Sequence, residues 1–129
     1  MYEAVLDAST LIAYLKEELP DNTGLDQLIP KSIISTVNAC EVATVLTRIH
    51  MPINEINELI EHNIGKIIPI DQPQAMIAAD LWQQTKHLGL SLGDRACLAL
   101  GQIMQLPIYT ADRVWSQVKI DRIEVRLIR

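Results

Sequence analysis

Asp7, Glu41, Asp94 and Asp112 are the side chains of this sequence whose surroundings suggest chemistry. Asp7 lies in Val5-Leu6-Asp7-Ala8-Ser9, and Glu41 in Ser35-Thr36-Val37-Asn38-Ala39-Cys40-Glu41-Val42. Asp94 lies in Leu90-Ser91-Leu92-Gly93-Asp94-Arg95-Ala96-Cys97-Leu98-Ala99-Leu100, and Asp112 in Tyr109-Thr110-Ala111-Asp112-Arg113. Carboxylates crowded together repel and take up protons unless a cation joins them. Oxygen donors of this kind select Mg2+ or Mn2+. Each acid also has a plainer role open to it. Asp7 and Asp112 can cap the helices that follow them, Ser91 with Asp94 fits a capping box, and Glu41 can be a half-exposed helical residue. The conjunction of all four is what favours a metal centre.

To act together the acids must reach one edge of a fold, and the hydropathy pattern supplies the elements. Residues 3–6 form an apolar run ending in Asp7, a buried strand, and Leu11, Ile12 and Leu15 mark a helix directly after it. Residues 20–24 (Pro-Asp-Asn-Thr-Gly) read as a turn, followed by a short helix through Leu25, Leu28 and Ile29. Ser32 to Ser35 reads as a second strand, and Val42, Val45, Leu46 and Ile49 mark a helix from about Thr36 to His50. Pro52 opens an amphipathic helix that Gly65 stops, and Lys66 to Ile70 reads as a third strand. One long helix is expected from Gln74 to Leu88, ended by Gly89, and another from Leu92 to Met104. Pro107 to Thr110 is a fourth strand, Arg113 to Gln117 a short helix, and the alternation through Ile123, Val125 and Leu127 an edge strand. Strands alternating with helices imply a mainly parallel sheet with helices on both faces, an α/β/α sandwich. Ligands bind such sheets beyond the carboxyl ends of the strands, where Asp7 and Asp112 stand.

Bulk properties narrow the class. With 129 residues, and no linker, repeat or low-complexity segment, a single domain over residues 1–129 is expected. Phe is absent, so Ile, Leu, Val, Ala and Met must fill the core. No apolar run approaches the roughly 20 residues that span a bilayer, and Met1-Tyr2-Glu3 lacks a signal-peptide start, so a cytoplasmic protein is expected. Cys40 and Cys97 have no metal-ligand spacing and lie in apolar helical stretches, where they would serve as small hydrophobes. The net charge of −5 argues against a basic nucleic-acid coat. It divides unevenly: residues 1–64 carry −7, and residues 65–129 carry +2 with Lys119, Arg122, Arg126 and Arg129 close together. That tail could meet a nucleic-acid backbone, but protection of an edge strand is the stronger reading. Trp82 and Trp115 could stack on bases, although helical spacing puts Trp82 in the core.

The order and setting of the four acids resemble the PIN-domain family, specifically the VapC-type toxins of bacterial toxin–antitoxin pairs. The matching segments are the four quoted above, and the third and fourth are the more specific. The resemblance implies a three-layer α/β/α sandwich and a metal-dependent endoribonuclease using one or two Mg2+ or Mn2+ ions. It implies Asp7 and Asp94 as the firmest metal ligands, with Glu41 and Asp112 often acting through water. Ser9 and Thr110 match positions that help order the site. In-line attack by a metal-activated water would leave a 5′-phosphate and a 3′-hydroxyl. Arg95 and Arg113 each follow a site acid and would contact RNA phosphate or orient a neighbouring carboxylate. The resemblance further implies a homodimer and a cognate antitoxin whose C-terminal segment lies against early apolar helices such as that from Pro52 to Ile64.

Two rivals stand beside this reading. One is a non-catalytic PIN-like protein-binding module that keeps the acids. The other is a different Mg-dependent phosphotransfer enzyme on a doubly wound sheet. A haloacid-dehalogenase-type phosphatase would need an Asp where Ser9 stands, and a receiver domain would need an acidic pair near the first strand and a late Lys, neither of which is present.

Overall fold

The computed structural model describes residues 1–20 and 23–129. The turn expected over residues 20–24 falls partly outside the described residues; within them, Gly24 adopts φ +79° and opens the next helix. The order is β1 (Ala4–Leu6), α1 (Ala8–Leu15), α2 (Leu25–Leu28), β2 (Ser32–Ser35), α3 (Thr36–Arg48), α4 (Ile53–Asn63), β3 (Lys66–Ile68), α5 (Gln72–Asp80), α6 (Trp82–Thr85), α7 (Leu92–Met104), β4 (Ile108–Thr110) and β5 (Val125–Leu127). Short 3-10 turns precede β2, follow α6 and span Arg113–Gln117.

The five strands form one sheet in the order β3-β2-β1-β4-β5, every neighbouring pair parallel. Central β1 registers Val5 against Ile33 on one side and Ile108 on the other. Strand alternation sends Val5, Ile33 and Ile108 to one face, against Leu98, Leu100 and Trp115. It sends Leu6 and Ile34 to the other, against Leu11, Val42, Leu46, Ile56 and Ile60. The result is the expected α/β/α sandwich. Gly101 lets α7 lie close on the sheet, because a Cβ there would collide with the Ile108 side chain. Among the described residues, no helix is long and apolar enough to cross a membrane.

Three expectations require correction. The helix expected from Gln74 to Leu88 starts two residues earlier, where Asp71 accepts from Gln74 N at 3.0 Å, and breaks at Leu81. The buried Thr85 hydroxyl donates to Leu81 O at 2.8 Å, a side-chain bond that competes with the backbone ladder and bends helices. After the break Leu81 takes the buried place, and Trp82, expected in the core, is 45% exposed with Lys86 Nζ 5.1 Å from its ring centroid. Trp115 is instead fully buried and has no face for a base. Cys40, expected to serve as a small hydrophobe, is exposed on α3, while Cys97 is buried.

β5 lies at the sheet edge, as its alternation suggests. There Arg126 pairs with Glu124 and donates to the Tyr109 hydroxyl at 3.0 Å, so one tail cation is held by the protein itself. Arg129 lies 4.0 Å from Glu18.

Candidate functional site

Asp7 leaves β1 at its carboxyl end and caps α1, accepting from Thr10 N at 2.9 Å. It is only 4% exposed. The Ser9 hydroxyl stands 2.8 Å from both carboxylate oxygens, and the Thr110 hydroxyl donates to Oδ2 at 2.5 Å. Burial pushes the Asp7 carboxyl above its usual range, and the bonds from Thr110, Thr10 and Ser9 pull back against it. The two hydroxyls are themselves anchored on the far side. Ser9 Oγ accepts from Ala111 N at 2.9 Å, and Thr110 Oγ1 accepts from Asp112 N at 3.0 Å. The ends of β1 and β4 are thus stitched together through side chains centred on Asp7.

Glu41 sits half-buried on α3 because Ser35 caps that helix directly after β2 and turns it across the sheet edge. Its Oε1 accepts from Asn38 Nδ2 at 2.8 Å. The carboxylate rests on the backbone at Gly93, where a Cβ would come within 2.7 Å of Glu41 Cδ. Asp94 is the third residue of α7 and completes the capping box: Asp94 N donates to Ser91 Oγ at 3.1 Å, and Ser91 N to Asp94 Oδ2 at 2.9 Å. Asp112 is exposed and caps the 3-10 turn, accepting from Val114 N at 3.1 Å. Three of the four acids therefore perform the capping role open to them.

Asp7, Asp94 and Glu41 all bear electrostatically on one buried thiol. The fully buried Cys97 thiol is pushed well above its usual range, first by burial and then by the charges of Asp7, Asp94 and Glu41. That leaves Cys97 an inert thiol rather than a nucleophile. Arg95 does not join the acids. Its Nη1 donates to Ala78 O at 2.9 Å and ties α7 to α5. Arg113 is exposed beside Asp112.

The donor chemistry fits a hard divalent ion. The site offers carboxylate and hydroxyl oxygens, and among the described residues no Lys, Arg or His forms an ion pair with any of the four acids. Asn38 Oδ1 is buried beside Glu41 without a hydrogen-bond partner. As oriented here, no three His, Cys, Asp or Glu side chains among the described residues stand close enough to enclose one ion. Asp94 and Asp112 are turned to their caps, Asp94 through Oδ2. Asn38 and Gly93 are the contributors that the sequence reading passed over. Asn38 at three residues before Glu41, and a glycine beside Asp94, were the available signals.

The family profile described as PIN domain matches residues 4–121. No curated protein matches the chain in sequence. A chain of a toxin–antitoxin complex from Klebsiella pneumoniae superposes with a TM-score of 0.71 at 22% identity, over 94% of this chain and 95% of that one. A chain of DNA-bound VapBC from Salmonella typhimurium gives 0.77 at 14% identity, covering 100% of both. A chain of FitAcB from Neisseria gonorrhoeae gives 0.66 at 21%, covering 95% of each. At these identities the likeness is one of fold.

Proposed function

The chain belongs to the PIN-domain family, and from that premise we propose that it is a divalent-metal-dependent endoribonuclease, the toxin of a toxin–antitoxin pair. The observation that carries this reading is the buried Asp7 carboxylate at the carboxyl end of β1, held by Ser9 and Thr110, with Glu41 lying against the backbone of the residue before Asp94. No basic side chain pairs with these acids among the described residues. Asp7 and Asp94 would hold the ion directly, and Glu41 and Asp112 through water. When bound, one or two Mg2+ or Mn2+ ions would supply Lewis acidity for attack of water on an RNA phosphodiester, leaving a 5′-phosphate and a 3′-hydroxyl.

The protein's own part is positioning. Ser9 and Thr110 hold the Asp7 carboxylate in one orientation and lower its hold on a proton. Ser91 Oγ keeps α7 capped through Asp94 N while the Asp94 carboxylate turns to the ion. Arg113, exposed beside Asp112, would meet substrate phosphate, whereas Arg95 donates to Ala78 O on α5.

The neighbouring structure from Klebsiella is a toxin–antitoxin complex, and carried to this chain that setting calls for an antitoxin. An apolar groove between α3 and α4, lined by Ala39, Ala43, Ile53, Ile56 and Ile60, offers it a seat. A homodimer in the cytoplasm completes the reading.

Cleavage of a cellular RNA pool by antitoxin-free protein, with Mg2+, Mn2+ or EDTA and beside Asp94→Asn, tests it. Asparagine keeps an acceptor for Ser91 N, so the variant should stay folded to within about 1 kcal/mol while metal-dependent fragments disappear. The capping-only reading of Asp94 requires the variant to cut normally. If folded wild type leaves the pool and defined tRNA and rRNA intact, the binding-module reading replaces the nuclease.

A further inference from the structure

Asn38 stands three residues before Glu41 on α3, so the two side chains share a helix face. It is 1% exposed. Its Nδ2 donates to Glu41 Oε1 at 2.8 Å and to Gly93 O at 3.0 Å. These two acceptors fix the orientation of the amide, because a flip would set Oδ1 against two oxygens. Oδ1 itself is buried with no partner.

A buried amide with an orphaned acceptor is a poor way to fill a core, and an aliphatic side chain would occupy the space without that penalty. What the amide achieves is a clamp between two site acids. One hydrogen bond holds the Glu41 carboxylate; the other holds the backbone of the residue before Asp94. Gly93 completes the fit, since only a residue without Cβ lets Glu41 lie against it. No other amino acid of this size donates twice in this way: serine donates once, and an ionised aspartate not at all.

We infer that Asn38 is a positioning residue for the metal centre, setting the Glu41 carboxylate relative to Asp94 by bonding α3 to the first turn of α7. The inference rests on the divalent-metal reading above, and it assigns Asn38 no contact with substrate. Because it acts through Glu41, its effect must vanish when Glu41 no longer carries charge.

The test is a double-mutant cycle on the full-length protein with Mn2+ as the probe. Free Mn2+ is followed by electron paramagnetic resonance in wild type, Asn38→Ala, Glu41→Gln and the double variant. Cleavage of the RNA pool is measured in parallel at limiting and saturating Mn2+. Asn38→Ala should weaken Mn2+ binding about 10- to 100-fold, lose cleavage at limiting Mn2+, and regain most of it at saturation. In the Glu41→Gln background it should change Mn2+ affinity little. Asn38→Ser, which keeps one donor, should fall between and replaces the alanine variant if that one does not fold. Unchanged Mn2+ affinity in a folded Asn38 variant overturns the inference, and so do additive losses in the double variant. Wild type that binds Mn2+ but cuts no RNA overturns only the nuclease reading, and the affinities still decide the role of Asn38. Wild type that binds no Mn2+ overturns both.

Discussion

Asp7 carries two opposed demands in one side chain. It must be buried to stitch β1 to β4, and it must be charged to hold a cation. Burial raises its carboxyl above the ordinary 3.8, and the hydroxyls of Thr110 and Ser9 offset only part of that rise. An acid whose folded value is raised binds its proton more tightly when folded. Its contribution to stability is therefore full below about 3.8 and is lost as pH rises through the raised folded value. At neutral pH, without metal, burial of this ionisable group therefore works against folding. Asp7→Asn keeps an acceptor for Thr10 N and removes the ionisable group. Thermal melts of metal-free protein should show Asp7→Asn a few degrees more stable than wild type at neutral pH, with the gain shrinking toward the low end of that window. A lower melting temperature for the variant at pH 7 would sink this account, because Asp7 would then be a net structural anchor. Cleavage should be lost in Asp7→Asn at either pH, a stability gain bought with function.

Helix α7 shows how an element can serve packing at one end and chemistry at the other, through a glycine at each. Gly93 faces the flexible end of Glu41, and Gly101 faces the buried Ile108 side chain. Alanine at 93 displaces a carboxylate, which can move, and gains up to about 1 kcal/mol of helix preference. Alanine at 101 drives a methyl into a packed core at a cost of about 1–3 kcal/mol. Gly93→Ala should therefore melt no lower than wild type yet bind Mn2+ and cut RNA more weakly, whereas Gly101→Ala should melt lower and retain activity per folded molecule. The reverse assignment in a paired melting and cleavage assay would show that Glu41 has no part in the site. The same helix marks what could be read from sequence. The start of α7 was legible in Ser91 and Asp94, and the end of β1 in an apolar run closed by Asp7, because both signals are local. The placement of Asn38 was not, since its partner Gly93 lies 55 residues away and the contact exists only once α3 meets α7. The break at Leu81 was equally hidden. No proline or glycine marks it, and with it went the expectation that Trp82 is core.

At the scale of the whole molecule, the strand order puts the candidate site where the sheet changes direction. From β1 the chain builds outward through β2 and β3, then crosses back to add β4 and β5 on the other side. The crevice of a doubly wound sheet opens at such a switch point, and Asp7 and Asp112 emerge from its two central strands. Glu41 arrives on a helix anchored in one core, Asp94 on a helix anchored in the other. An ion held by these acids would therefore be lost on unfolding of any part of the sandwich, and its binding energy would appear as global stability. At Mn2+ concentrations about 100 times Kd the gain is about 2.7 kcal/mol, roughly 10 °C for a chain of this size. The net charge of −5 invites a trivial alternative, in which any cation stabilises the protein by screening its acidic half. The two separate cleanly. Mn2+ should raise the melting temperature of wild type at fixed ionic strength maintained with NaCl, and should not raise that of Asp7→Asn. An equal rise in both proteins would assign the effect to surface charge and remove the stability argument for a metal centre.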